Sequence, residues 1–199
     1  MKIIQIVAMI LLFPLFVHAQ DCEPPQVAAD NLFPSVKLET SMGDIVVELD
    51  RLKAPVTVNN FLRYVTAGRY DGTIFHRVEP EFVIQGGGYD AAFEETPEYP
   101  AIVNESGNGL KNLKWSIAMA RFDDPHTATG QFFFNLDDNS SLDPGRRWGY
   151  AVFGIVLEGK DVLTEMAGVE TEYNENLDAV AVPVTTVLIK KVTLLEQQF

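Results

Sequence analysis

The histidines and the cysteine of this chain do not form a metal-binding pattern. Histidines stand at positions 18, 76 and 126, and Cys22 is the only cysteine among the 199 residues. Zinc sites take three or four such ligands, usually in closely spaced pairs. The histidines are widely separated, and neither His76 nor His126 has a cysteine nearby. The sequence therefore predicts neither a metal site nor metal-dependent chemistry.

Motifs for nucleophilic attack, calcium binding and phosphate binding are also missing. No Gly-x-Ser-x-Gly sequence presents a serine nucleophile. Asp137-Asp138-Asn139 lacks the glycine and the twelfth-position glutamate of an EF-hand loop. Gly86-Gly87-Gly88 lacks the Gly-x-Gly-x-x-Gly spacing of a phosphate-binding loop. Carboxylates are so numerous, at 28, that a chance pair does not indicate acid–base catalysis.

A different group of segments carries a recognisable pattern. The segments are FHRVEPEFVIQGG at 75–87, AMAR at 118–121, GQFFF at 130–134, LD at 142–143 and GYAVFG at 149–154. In order and spacing they resemble the cyclophilins, most closely the exported bacterial type. The resemblance extends from about Val36 to the C-terminus.

Cyclophilins are peptidyl-prolyl cis-trans isomerases, so the resemblance implies an enzyme that accelerates rotation about Xaa-Pro peptide bonds in proline-containing polypeptides. It also implies a mainly β fold, a closed eight-stranded antiparallel β-barrel capped by two α-helices. Rotation breaks no covalent bond, so no nucleophile or cofactor is expected. The enzyme must instead bind the twisted amide better than either planar form.

The resemblance also implies which residues form the site. It assigns catalytic roles to Arg77, Gln85 and Phe133. It assigns substrate contacts to Phe82, Val83, Ala120, Arg121, Gln131, Leu142, Tyr150 and His76. In such a site Arg77 donates a hydrogen bond toward the proline nitrogen, and Gln85 holds the arginine or the substrate carbonyl.

The remaining site residues are expected to grip and align the substrate. Phe133 forms an apolar pocket of proline size together with Phe82, Val83 and Leu142. The backbones of Ala120 and Arg121 pair with the substrate chain, and Gln131 lines the neighbouring groove. Tyr150 contacts the substrate through its hydroxyl. His76 is expected to be structural, hydrogen-bonded near the site rather than acting as a base.

Four positions depart from the pattern of many cyclophilins. Ser141 stands where a tryptophan linked to tight cyclosporin binding is common, so weak binding of that drug is expected. Val83 replaces a methionine, Arg121 an asparagine, and Tyr150 a histidine. None of these changes affects Arg77.

Hydrophobic periodicity predicts the elements that must hold these residues. Val36–Thr40 and Ile45–Leu49 alternate as a β-hairpin, and a helix begins near Pro55 and ends at Gly68. A second helix is expected from Gly159 or Lys160 to about Met166. Further strands are expected at Thr73–Arg77, Phe82–Gln85, Trp115–Met119, Gln131–Asn135, Tyr150–Val156 and Pro183–Leu195. The long connection from Tyr89 to Lys114 shows little periodicity, as is common for functional or disordered loops.

The N-terminus has the layout of a secretory signal peptide. Lys2 precedes an apolar run from Ile3 to Val17, and Val17-His18-Ala19 offers a cleavage site. A retained membrane anchor is the alternative, but the run is short for a bilayer span. We therefore predict a signal peptide at 1–19, a linker at 20–35 and one isomerase domain at 36–199, without lipidation of Cys22 or an intramolecular disulfide.

The acidic balance limits the possible partners. The formal net charge is −13, and nucleic acid calls for a basic surface. We expect no nucleic-acid partner, no membrane association after signal cleavage, and a monomer. A periplasmic location is preferred, with secretion as the alternative.

Two other functions compete with the isomerase. One is a binding module of the same fold that holds proline-containing segments with little turnover, and an intact Arg77 argues against it. The other is a hydrolase on a β-barrel, for which no nucleophile motif is present.

Overall fold

A computed structural model describes residues 24–196. The predicted signal peptide, His18 and Cys22 lie outside these residues. The strands are β1 Ser35–Thr40, β2 Asp44–Leu49, β3 Thr73–Glu79, β4 Val83–Asp90, β5 Ser116–Met119, β6 Phe132–Asn135, β7 Val152–Glu158, β8 Thr171–Asn174, β9 Ala179–Pro183 and β10 Val187–Leu194. The α-helices are α1 Pro55–Thr66 and α2 Lys160–Met166. Short 3₁₀ turns occupy Ser106–Asn108 and Ser140–Leu142.

Eight of the strands close into a barrel. Their order around it is β1-β10-β3-β4-β6-β5-β7-β2, and each neighbouring pair is antiparallel. This confirms the predicted closed eight-stranded antiparallel barrel with two helices. A closed barrel leaves no free strand edge, so every barrel strand has a partner on both sides.

The barrel interior is filled by alternate residues of each strand and by one face of α1. Strand β1 buries Val36, Leu38 and Thr40, as strict alternation requires. From the helix, Phe61 meets Phe132 of β6 edge-on, with ring centroids 5.5 Å apart. Such aromatic contacts add to the area the rings bury, so the helix and the barrel form one core.

Helix α1 has a cap from outside its own sequence. Its N-cap residue is Ala54, whose side chain makes no capping hydrogen bond. The carboxylate of Glu105 instead accepts hydrogen bonds from the backbone N–H of Val56 and Thr57, at 3.2 and 2.8 Å. An anion at a helix N-terminus satisfies free N–H groups and complements the helix dipole. The long connection between β4 and β5 is thereby fastened to α1.

Two predicted strands differ from the structure by more than two residues at one end. The strand predicted at Phe82–Gln85 continues as β4 to Asp90, so the three glycines lie inside a strand rather than at its end. The strand predicted at Pro183–Leu195 begins only at Val187 as β10. Pro183, the first residue of the predicted strand, instead ends β9, which pairs with β8 in a separate two-stranded sheet. That hairpin was not predicted, because β8 (TEYN) is polar and β9 (AVAVP) is apolar throughout, so neither strand shows apolar–polar alternation.

Among residues 24–196, no helix has the length and apolar character needed to cross a membrane.

Candidate active site

The outer face of four barrel strands carries a second, smaller apolar cluster. It consists of Val83, Ala118, Phe133 and Val152, one each from β4, β5, β6 and β7. Their sequence neighbours point the other way: Phe132 and Phe134 belong to the main core. Because successive side chains of a strand alternate between faces, one triplet of phenylalanines serves both the interior and the outer cluster.

A cavity of about 170 Å³, here called the first cavity, lies over this cluster. Its lining contains nine of the eleven residues predicted for the site: Arg77, Phe82, Val83, Gln85, Ala120, Arg121, Phe133, Leu142 and Tyr150. Strands β3, β4 and β6 supply Arg77, Gln85 and Phe133, so these three side chains are held by paired backbone. The first cavity has an apolar floor and a guanidinium in its wall.

Arg77 makes directed hydrogen bonds on two sides. Its Nε and Nη2 donate to Oε1 of Glu79, at 2.8 and 2.6 Å. Its Nη1 donates to Oε1 of Gln85 at 3.4 Å, and Gln85 in turn donates to Oε1 of Gln131 at 3.0 Å. The guanidinium carbon lies 5.6 Å from the centroid of the Phe82 ring. The arginine is therefore oriented before any substrate binds.

Arg121 uses its side chain to join two loops beside the first cavity. Its guanidinium donates to the carbonyl oxygens of Phe122 at 2.7 Å, Asp123 at 3.1 Å, Trp148 at 2.6 Å and Gly149 at 3.1 Å. It also lies over the ring of Tyr150, 4.6 Å from the centroid. The ring of Tyr150 meets Phe133 edge-on at 5.5 Å. The guanidinium thus fixes both the loops and one wall of the cavity.

The backbone of Ala120 is only partly available to a bound chain. Its N–H donates to the carbonyl of Gln131 at 2.9 Å. Strand-like pairing at Ala120 would therefore use its carbonyl group as an acceptor.

A second, larger cavity adjoins the first one and shares Arg77 and Gln85 with it. Its volume is about 390 Å³. The other two predicted residues, His76 and Gln131, line this second cavity instead of the first. Its remaining lining residues are Gly88, Tyr89, Glu95, Glu98, Phe122, Leu177, Ala179 and Val180. The last three belong to the β8–β9 hairpin and its turn, so the unpredicted sheet forms one wall.

His76 is buried and electrically neutral near pH 7. The residue is 7% exposed, and its ring meets Tyr89 edge-on at 4.9 Å. Burial, aided by the charge of Arg77, lowers the pKa of His76 to about 4. Its Nδ1 has no hydrogen-bond partner among the described residues, while a backbone contact with Ile74 acts in the opposite direction and raises the pKa of the ring.

Buried amides hold the turn that carries Leu142. Asn135 donates to Ser116 Oγ at 2.9 Å, and Asn139 donates to Asn135 Oδ1 at 2.8 Å. Asn139 also donates to the carbonyl of Phe82 at 2.9 Å. Because buried polar groups are costly to leave unpaired, this network fixes the turn against β4 and β6.

Sequence reasoning missed Glu79, the ion-pair partner of Arg77. The signal was present, because residues two apart on a strand share a face, and Arg77 and Glu79 are separated by one core residue, Val78. It also missed the acidic and hairpin residues of the second cavity, which come together only through the tertiary fold.

The comparisons with known proteins agree with this architecture. The family model described as cyclophilin type peptidyl-prolyl cis-trans isomerase/CLD matches residues 35–194. A cyclophilin-type isomerase of Cryptosporidium parvum has a similar solved structure, with a TM-score of 0.68 at 24% identity, covering 83% of this chain and 99% of that one. At that identity the likeness concerns the fold alone.

Relatives with higher identity carry isomerase names. A peptidyl-prolyl cis-trans isomerase of Streptomyces antibioticus is 47% identical over 165 residues, covering 81% of this chain and 98% of the relative. Isomerase A of Dickeya dadantii is 49% identical over 138 residues, covering 69% and 73%. Isomerase B of Escherichia coli is 43% identical over 165 residues, covering 81% and 99%. With the family match spanning most of its length, this chain belongs to the cyclophilin-type peptidyl-prolyl cis-trans isomerases.

Proposed function

We propose that this isomerase binds the proline ring of its substrate in the first cavity and stabilises the twisted amide through Arg77. The observation that carries the proposal is the position of the Arg77 guanidinium, pre-oriented by Glu79 and Gln85 at the wall of an apolar cavity. The floor of Val83 and Phe133 suits a small apolar ring. A proline ring bound on this floor would have its nitrogen on the side of the cavity where the Arg77 guanidinium lies.

The energetics require both the cavity and the arginine. The barrier to rotation about a peptide bond is about 18–20 kcal/mol, and uncatalysed Xaa-Pro isomerisation takes tens to hundreds of seconds. Reaching milliseconds requires about 10⁴- to 10⁵-fold acceleration, or roughly 5.5–7 kcal/mol. One pre-organised donor contributes about 2.7–4 kcal/mol. Gripping the proline ring while the preceding carbonyl turns must supply the rest.

The chemistry at Arg77 follows from what happens to the nitrogen. When the amide twists, the proline nitrogen loses conjugation and its lone pair becomes localised. A guanidinium N–H can donate to that lone pair and has little to gain from the planar forms. This difference in binding is what lowers the barrier.

Gln85 and Gln131 extend the polar side of the groove. Gln85 holds Nη1 of Arg77 and is itself held by Gln131. A substrate carbonyl can accept from Nη1 of Arg77 in place of the long 3.4 Å contact with Gln85, whose amide N–H keeps its hydrogen bond to Gln131. The carbonyl of Ala120 offers the extended substrate a backbone acceptor.

Replacement of Arg77 by alanine tests the proposal. We expect Arg77→Ala to lower kcat/KM on an Xaa-Pro peptide in a protease-coupled assay by about 10²-fold, the effect of removing one pre-organised donor. Arg146→Ala serves as the matched control, since Arg146 is exposed and lies outside both cavities. Near-normal turnover by folded Arg77→Ala would refute this role. Peptide binding without acceleration by the unaltered protein would indicate a binding module instead.

We further propose that the mature enzyme is a periplasmic monomer acting on proline-containing polypeptides during folding. The basic, apolar and small-residue order of residues 1–19 supports export. Fractionation should place the protein in the periplasm with an N-terminus near Gln20, whereas an uncleaved, membrane-bound form would contradict export. Light scattering should give the mass of one chain.

Weak binding of cyclosporin is also proposed, because Ser141 supplies no large ring beside Leu142. Calorimetry with Ser141→Trp tests this, and the variant should bind the drug more tightly than the unaltered protein.

A further inference from the structure

The ion pair between Glu79 and Arg77 divides the guanidinium into two working edges. The edge formed by Nε and Nη2 is taken up by Glu79 Oε1. The remaining nitrogen, Nη1, makes the long contact with Gln85. Gln85 lines both cavities, whereas Glu79 lines neither. The Nε and Nη2 edge, which binds Glu79, therefore faces away from the cavities. Nη1, which makes only the long contact with Gln85, faces them.

The strand geometry explains why this arrangement is specific. Residues 77 and 79 lie on the same face of β3, and in the β3–β4 register Arg77 is opposite Gln85 while Glu79 is opposite Val83. The two partners of Arg77 thus come from fixed positions on paired strands. Both Arg77 and Glu79 are exposed enough, at 38% and 36% of their side chains, that the arginine would sample several rotamers without a partner.

From these contacts we propose that Glu79 is a positioning residue for the isomerase reaction, holding Arg77 so that Nη1 points to the twisted amide. The inference rests on the proposed role of Arg77. Glu79 does not contact the substrate. It acts through geometry, because its Oε1 accepts from both Nε and Nη2 of Arg77 and so fixes the orientation of the guanidinium. The transition state benefits from a pre-oriented donor, whereas ground-state binding depends mainly on the apolar cavity.

Two substitutions separate geometry from charge. Glu79→Gln keeps an acceptor oxygen at the same reach and removes the charge, so kcat should stay within about twofold of the unaltered enzyme. Glu79→Val keeps a strand-compatible residue and removes the acceptor, so kcat should fall about fivefold, the upper effect of a half-exposed pair, with KM changed less than about twofold. Glu81→Gln and Glu158→Val are the matched controls, since both glutamates are exposed and line neither cavity.

The Nε–H resonance of Arg77 supplies a readout that loss of stability alone would not move. In ¹⁵N NMR it should be sharp in the unaltered protein and in Glu79→Gln, and broadened in Glu79→Val. In an Arg77→Lys background, Glu79→Val should lower kcat no further. The dependence of the Glu79→Val effect on Arg77 can be measured even if Glu79→Val is less stable, because each kcat is measured on folded protein.

The outcomes distinguish the two proposals. An inactive Arg77→Ala together with normal or raised kcat in Glu79→Val would overturn the role of Glu79 and leave that of Arg77 intact. An equal loss of kcat in Glu79→Gln and Glu79→Val would show that charge, not geometry, is what matters, and would also overturn it. An active Arg77→Ala would overturn the proposed mechanism itself.

Discussion

Arg121 shows how a side chain can matter to the site without facing the substrate. From the sequence, its main expected contribution was its backbone. Its guanidinium instead binds four carbonyl oxygens and covers Tyr150. The guanidinium of arginine spreads five N–H donors over a planar fork, whereas the three donors of a lysine ammonium all lie on one atom. The guanidinium of Arg121 is consequently hydrogen-bonded to loop carbonyls and does not face the groove as a free charge.

We expect Arg121→Lys to behave more like Arg121→Ala than like the unaltered enzyme. Without the fork, the loops at 122–124 and 148–150 lose their common anchor and Tyr150 loses its cover. Because these walls contact planar and twisted substrate alike, KM should rise about three- to tenfold while kcat changes less. Steady-state kinetics on an Xaa-Pro peptide measures this. Full rescue of KM by lysine would show that charge alone suffices.

At the scale of elements, Gly86 of β4 leaves room for the side chain of Phe75 on the neighbouring strand β3. A Cβ on Gly86 would lie 2.7 Å from Cδ1 of Phe75 and 2.9 Å from the carbonyl oxygen of Ile74. Gly87 has a φ of 86°, which L side chains rarely adopt. The triple glycine is therefore a packing device inside the strand, next to the bulged pairing of β3 with β4.

Gly86→Ala should lower the free energy of unfolding by about 1–3 kcal/mol, the usual cost of overpacking a close-packed core. Urea denaturation measures the change. Gly107→Ala is the matched control, because a Cβ there meets nothing within 4 Å. Equal stability of the two variants would mean that Phe75 moves aside without cost.

Most of the barrel strands could be predicted because alternation is a local signal. Val36, Leu38 and Thr40 alternate in sequence as they do in burial. The outer cluster around Phe133 could be predicted only from the resemblance to cyclophilins. A run of three phenylalanines shows no apolar–polar alternation that would indicate which ring faces outward. The β8–β9 hairpin and the Arg77–Glu79 pair were missed for different reasons. The hairpin lacks apolar–polar alternation. The strand pattern places Arg77 and Glu79 on one face, but their contact depends on the rotamers that the two side chains adopt.

At the scale of the whole molecule, His76 links the site to acid stability. Its pKa in the folded protein, about 4, lies below the ordinary value of 6.5, so folding favours the neutral form. The unfolded chain gains the proton first as pH falls, and stability present above pH 6.5 is lost between pH 6.5 and 4.

Between pH 7 and pH 5 this residue should remove about 2 kcal/mol from the free energy of unfolding. The slope should be smaller in His76→Phe, which keeps a ring against Tyr89 and cannot titrate. Urea denaturation of both proteins at the two pH values provides the comparison. Identical slopes would mean that His76 is protonated in the folded state as readily as in the unfolded one.

The two faces of β4, β5 and β6 carry different tasks, the barrel core on one and the first cavity on the other. An insertion or deletion of one residue within such a strand would exchange the faces, sending Phe133 inward and Phe132 outward. Stability and catalysis would then fail together, so these strands should tolerate substitutions far better than changes in length. The β8–β9 hairpin lies outside the barrel register, and its length can vary with no such penalty. Lineages of this fold can therefore be expected to diversify the second cavity by lengthening or shortening that hairpin.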